Sequence, residues 1–360
     1  VTADWQCCAM TDLQRFFSVA HTLEEDIDMH GKPHRLTGPF RRNVLRLGAV
    51  LGIWGASFSP GQAETFPEKP ITIIVPFNAG GAADATGRIL AEALSRQLGV
   101  NVLVENIGGA GGAIGTTRVK AAEPDGYTIG LGHIGTLAAA VPMNPKLQYD
   151  PRSDFRYLGL VSSSPNVLYV SKNHPSKTLQ EFIAYSKAHK TGPAMGHGGQ
   201  GAASHVACVM FFKQIGVTPN LVAYKGFGQT ITDILSERID GGCDLLASVA
   251  PHAKSGDLRV LAVAADKRSP ILPNAMTAAE GGLPEFKTET WTGLFVPKDA
   301  PDAVVERLEQ AIAAALEDAG VHDRLNAIGA SLPEVGQRGG VYMQQLVGTE
   351  IDKWTSILGN

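Results

Sequence analysis

Three glycine-rich segments, each ahead of a stretch with helical periodicity, are the parts of this chain best suited to chemistry: Asn78 to Asp84, Asn106 to Gly115, and Gly196 to Ser204. A glycine loop that leads into a helix exposes bare backbone N–H groups beside the positive end of the helix dipole, and together these favour an anion. One such loop is explained equally well as a tight turn. Three at corresponding strand ends point to a shared anion pocket. Asp84 falls in the first turn of its helix, where a carboxylate either caps free N–H groups or meets a ligand. Tyr224-Lys225-Gly226 follows a strand and offers a phenol and a cation to the same pocket. Asp244, after Gly241-Gly242-Cys243, is placed to line the cleft or to cap a helix.

Other chemistries lack their residues. Gly196-His197-Gly198-Gly199-Gln200-Gly201 formally matches the dinucleotide fingerprint, but no acidic residue ends a following strand at the usual spacing of roughly twenty residues. There is no phosphate-binding GxxxxGK segment and no GxSxG elbow. Ser204 and His205 are neighbours on one helix, so their side chains diverge and imply no triad. CxxC and HExxH are absent, and the evenly spaced His189, His197 and His205 fall in different elements, so neither a metal site nor a cofactor is expected. Cys208 in a helical run and Cys243 in a strand-like one are expected to be free, buried thiols. Trp291 heads a strand and is expected in the core.

The elements that must position these loops alternate. Ile71 to Val75 is a β-branched strand, and Ile89, Leu90, Ala93, Leu94 and Leu98 recur at helical spacing after it. Val102 to Val104, Tyr127 to Leu131, Val167 to Val170, Asn220 to Ala223, Gly242 to Leu246, Val260 to Ala264 and Gly293 to Val296 are further strands. Helices are expected over 179–188, 204–215, 229–237, 301–319 and 342–358. This alternation calls for mixed, mostly parallel sheets flanked by helices, an α/β fold. Such sheets bind ligands beyond the carboxyl ends of their strands, where the glycine loops lie. In 360 residues, 31 Lys and Arg stand against 35 Asp and Glu, a formal net charge of -4 that speaks against nucleic acid as a partner. With 44% hydrophobic and 18% charged residues the chain can fill at least one core and is long enough for two domains.

The amino-terminal part reads as a processed segment. Lys32, Arg35, Arg41, Arg42 and Arg46 precede an uncharged run from Leu47 to Ser59, followed by Pro60-Gly61-Gln62-Ala63. That order of basic, apolar and small residues is a secretory signal starting at Met29 and cleaved after Ala63, by the general secretory or the twin-arginine route. Residues 1–28, which carry Cys7 and Cys8, are acidic and read as an over-extended reading frame.

Pro76-Phe77-Asn78-Ala79-Gly80-Gly81-Ala82-Ala83-Asp84, Glu105-Asn106 with Gly109 to Gly115, and Pro124-Asp125-Gly126-Tyr127-Thr128 resemble the Bug-type periplasmic receptors, the TctC family of tripartite tricarboxylate transporters. The resemblance continues through Tyr149-Asp150-Pro151, Ser204-His205, Tyr224-Lys225-Gly226, Leu258 to Val263, Lys267 to Pro270 and Trp291 to Phe295. Ile107-Gly108 and Ala113 depart from the residues usual there. The resemblance implies a two-lobed periplasmic binding protein fold (type II-like), with residues 64–165 and 288–360 forming lobe one and 166–287 lobe two. It implies a monomeric, periplasmic, non-enzymatic receptor. Its ligand would be a small carboxylate (a di- or tricarboxylate, an amino acid or an aromatic acid) delivered to integral membrane permease subunits; an orphan sensor without a permease and a dinucleotide-dependent enzyme are the alternatives. Ligand contacts are implied at Phe77, Asn78, Ala79, Gly80, Gly81, Asp84, Gly201, Ser204, Tyr224 and Asp244.

Overall fold

The computed structural model describes residues 66–358, so the expected signal segment, Cys7 and Cys8 lie outside the described residues. The first strand, β1 (Ile71–Val75), is buried along almost its whole length and leads through a six-residue loop into α1 (Ala82–Leu98). Ile89, Leu90, Ala93, Leu94 and Leu98 put one face of α1 into the core. Gly87 lets the helix sit close, since a Cβ there would lie 2.8 Å from Val75 Cγ2. Burying a leucine such as Leu90 completely is worth about 2 kcal/mol. Gly99, left-handed at φ 73, ends the helix.

The next strands are β2 (Val102–Asn106) and β3 (Thr128–His133), and both pair with β1 in parallel. Between them lies α2 (Ala113–Lys120). After β3 the chain coils through a π-type turn, Gly135–Ala139, into the short α3 (Ala140–Met143). β4 (Phe155–Ser171) is 17 residues long. Its residues from Phe155 to Pro165 pair antiparallel with β9 (Glu289–Pro297), and its residues from Asn166 onward pair with β7 (Gly241–Leu245) and β8 (Leu258–Val263). The sequence reading found only Val167 to Val170, because Ser162-Ser163-Ser164-Pro165 reads as a loop. Pro165 is accommodated where the strand changes partners.

Strand order is β2-β1-β3-β9-β4-β7-β5-β6, with β5 (Ala194–His197) and β6 (Asn220–Ala223) parallel to each other and β5 parallel to β7. α4 (Leu179–Ala188), α5 (Ala203–Ile215), α6 (Phe227–Leu235) and α7 (Leu246–Lys254) cover the second part of this mixed sheet. Its core holds Phe182, Phe211, Phe212 and Phe286 together with Cys208 and Cys243, which are buried free thiols as expected. Helix α7 was not foreseen: it follows β7 without a loop, so its apolar start merged with the strand. The helix expected over 301–319 ends at Leu316, and a further helix that the sequence did not reveal follows it. Asp318 accepts the Gly320 N–H at 2.7 Å and starts α9 (Ala319–Ile328) separately from α8 (Asp302–Leu316). The last helix, α10 (Gly340–Leu358), packs Met343, Val347, Ile351 and Trp354 into the core beside Phe295.

Candidate ligand-binding cleft

Four helices start at one place. α1, α5, α6 and α7 follow β1, β5, β6 and β7, and the first turn of each lines a single cleft of about 460 Å³ including its open mouth. The wall is built from Phe77, Asn78 and Gly81 to Asp84 on the first side. It continues through Gly198 and Ala202 to Ser204, then Gly226 and Phe227, and finally Asp244, Leu245 and Ser248. Each helix leaves the N–H groups of its first turn without intrahelical acceptors and turns the positive end of its dipole to the cleft. No lysine or arginine side chain lines it among the described residues. What attraction the wall offers an anion therefore comes from backbone dipoles.

Side chains tie the loops in place. The Ala82 N–H donates to Ser248 Oγ at 2.9 Å across 166 residues of sequence, which joins the start of α1 to that of α7. Gly198 N–H donates to Ser204 Oγ at 2.9 Å, folding the β5 loop back on α5. Asp84 Oδ2 accepts the Gly80 N–H at 3.1 Å while Oδ1 pairs with Arg88 at 2.9 Å. Burial pushes the Asp84 carboxyl up, but Arg88 and the Gly80 N–H outweigh it and hold the group below the usual carboxylate range. Asp244 has no such cation. Burial drives its pKa up to about 6, against the Leu245 N–H donated to Oδ1 at 2.7 Å and the Ser248 hydroxyl.

Three histidines buttress the cleft. His133, at the end of β3, lines it and stacks on Phe77 with ring centroids 5.0 Å apart and 15° between planes. Its Nδ1 accepts the Gly135 N–H at 2.9 Å, and burial lowers its pKa to about 4. His197 Nδ1 accepts from Gly199 and His205 Nδ1 from Gly201, both at 3.2 Å. These bonds place the ring proton on Nε2 and keep the imidazoles neutral. Ser204 and His205 bond to different loop amides, so no nucleophile and base are assembled there.

Of the residues expected from sequence, Phe77, Asn78, Gly81, Asp84, Ser204 and Asp244 lie in the wall. Ala79 and Gly80 belong to the same loop just outside it. Tyr224 does not face the cleft: its hydroxyl donates to Asp233 Oδ2 at 2.8 Å, and of the Tyr224-Lys225-Gly226 segment only Gly226 reaches the wall. Gly201 packs on Ala140 and gives its N–H to His205 instead. The second glycine loop is a support. Gly112 admits the Phe77 ring, and Gly111 meets the Gln200 backbone. His133, Phe227, Leu245 and Ser248 were missed, and only the end-of-strand position of His133 carried a signal.

Residues 86–359 match the family described as tripartite tricarboxylate transporter family receptor, TctC. The chain is 32% identical over 320 residues to BugT of Bordetella pertussis, covering 88% of this chain and 97% of that one. Among solved structures it is similar to MatC from Rhodopseudomonas palustris with bound malate, with 36% identity, a TM-score of 0.78, and coverage of 81% of this chain and 100% of that one. It is also similar to the R. palustris protein Rpa4515 with adipate, with 30% identity, a TM-score of 0.76, and coverage of 81% and 97%. Helix starts converging on one cleft, in a two-lobed α/β fold that these receptors share, fit the match along the chain: it belongs to the TctC family of periplasmic solute-binding receptors.

Proposed function

We propose that this receptor captures a small organic dicarboxylate in the cleft between two lobes and delivers it to membrane permease subunits without transforming it. The observation that carries the reading is the convergence of four helix N-termini on a cleft without a lining cation. Such a site holds a carboxylate through backbone N–H groups. Malate in one relative and adipate in another favour a dicarboxylate. Phe77, Asn78, Gly81, Asp84, Ser204 and Asp244 form the contact set, with Ala79 and Gly80 shaping the first loop.

The lobes divide where β4 changes partners, between Pro165 and Asn166, and again before β9, which supports lobe one as residues 64–165 and 288–360 and lobe two as 166–287. Hydrogen bonds from Ala82 N to Ser248 Oγ, from Gln200 Nε2 to Met143 O and from Asn78 N to Lys225 O bridge them in a closed arrangement. A ligand touching both lobes stabilises this form by its preference for it. Calorimetry with malate and adipate tests the assignment, alongside mass spectrometry of ligand released from the purified protein. Saturable binding of a dicarboxylate, lost with its diamide, is expected. Equal binding of the diamide would overturn the reading.

A further inference from the structure

We propose that the ligand is bound together with one proton, shared between its carboxylate and Asp244, so that capture is proton-linked and Asp244 selects for acids able to share that proton. The inference rests on the carboxylate reading of the cleft. An anion drawn in by four helix starts arrives beside a partly buried side-chain carboxyl, and two negative groups in contact inside one closed cleft cannot both stay ionised.

No side-chain cation compensates Asp244, and the Leu245 N–H bonded to Oδ1 at 2.7 Å does so only in part. Asp84 and Arg88 of α1 neutralise each other, and His133 of β3 is held neutral by burial. Tyr169 of β4 and Cys243, Asp244's neighbour on β7, are buried with their protons held on; Cys208 of α5 is a buried thiol beside Cys243. From α7 only the Ser248 hydroxyl reaches the carboxyl, and it already accepts the Ala82 N–H. Burial, net of the Leu245 and Ser248 hydrogen bonds, already holds Asp244 at about 6, and contact with a ligand carboxylate raises it further, so that binding takes up the proton at neutral pH. The protonated acid then donates a hydrogen bond to the ligand where the ionised one would repel it.

The test is calorimetry of malate and adipate binding from about pH 6 to about pH 8, in buffers of different ionisation heat, on wild type and Asp244→Asn. An amide imitates the protonated acid. Wild-type affinity should fall about tenfold per pH unit above about pH 7, with one proton taken up per ligand. The variant should show a flat profile and, at about pH 8, bind at least about tenfold more tightly than wild type. Flat wild-type binding, or weaker binding by the variant at every pH, would overturn the proposal, because Asp244 would then act as an ionised acceptor for a ligand hydroxyl or ammonium. Carbon-13 NMR titration of the Asp244 carboxyl in ligand-free protein provides an arm independent of ligand identity. A midpoint near 6 supports the inference, and one below about 4.5 overturns it even if dicarboxylates bind. Absence of any dicarboxylate binding with the midpoint near 6 removes the carboxylate reading itself, and the proposal with it.

Discussion

Replacing Gly111 by alanine should block closure while leaving each lobe folded. Gly111 sits at φ 66 and ψ 19 in the turn before α2, against the Gln200 backbone, which the proposed lobe division assigns to the other lobe. A Cβ there would lie 2.9 Å from the Gln200 carbonyl carbon, closer still to its oxygen, and 3.3 Å from the Ala202 nitrogen. All three are backbone atoms, which cannot rotate away as a side chain would. The left-handed conformation costs an alanine about 1 kcal/mol whether the lobes are open or closed. The clash exists only in the closed form. Relieving it requires the surfaces to part by roughly 1 Å, enough to break the nearby bonds from Gln200 Nε2 to Met143 O and from Ala82 N to Ser248 Oγ, both 2.9 Å. Two such bonds at about 1 kcal/mol each give roughly 2 kcal/mol against closure, or about a thirtyfold loss of affinity. Calorimetry measures that loss, small-angle scattering should show an envelope that no longer contracts with ligand, and the apo thermal midpoint should fall by only a few degrees. Wild-type affinity together with wild-type contraction in Gly111→Ala would refute the reasoning.

Gly81→Ala should be tolerated, since its Cβ would meet Phe227 Cβ at 3.5 Å and Ser248 Oγ at 3.8 Å, whereas Gly81→Val should cost at least about tenfold in affinity, ~1.4 kcal/mol, by filling the cleft; equal affinities by calorimetry would exclude this loop from the site. His133 and His205, each lowered by burial to about 4, bind protons more readily when unfolded, so their contribution is full above about pH 6.5 and lost as pH falls towards 4. Each is worth roughly 3 kcal/mol, partly offset by Asp244, whose raised pKa works in the opposite direction between about 6 and 4; denaturant midpoints across this range should fall, less so in His205→Gln. Phe182→Ala, at a fully buried site on α4, should cost about 3–5 kcal/mol by chemical denaturation.

The parallel strands and their helices were legible because β-branched runs, glycine turns and helical periodicity lie within short windows. Phe77 to Asp84 was readable as part of the candidate cleft for the same reason: strand, loop and helix start are contiguous there. The partners completing the cleft are not local. Ser248 meets Ala82 across 166 residues, and nothing in Leu246-Ala247-Ser248 marks it apart from any other helix start. Tyr224 misled because its strand-end position was right while Asp233, one helix turn and more away, takes its hydroxyl. Lone serines and phenols carry no sign of their direction until packing fixes it. The full length of β4 was hidden because its serines and Pro165 resemble a turn, although each half has a different strand to hold it.

That strand arrangement also sets an order of assembly. β9 lies between β3 and β4, so Gly130 must find Phe295 and Leu131 must find Leu294, while Gly196 finds Val222 and Gly242 close by in sequence. Loop closure over such a distance is slower than local pairing. A chain emerging amino-terminus first would therefore present β1 to β3 early, yet leave their sheet without its middle strand until only α8, α9 and α10 remained to appear. The half containing β5 to β8 would close around Phe211 and Phe286 beforehand and serve as the template. Pulse-labelled hydrogen exchange during refolding should protect the Leu221 and Cys243 amides ahead of Leu131; simultaneous protection would mean that both halves condense in one step.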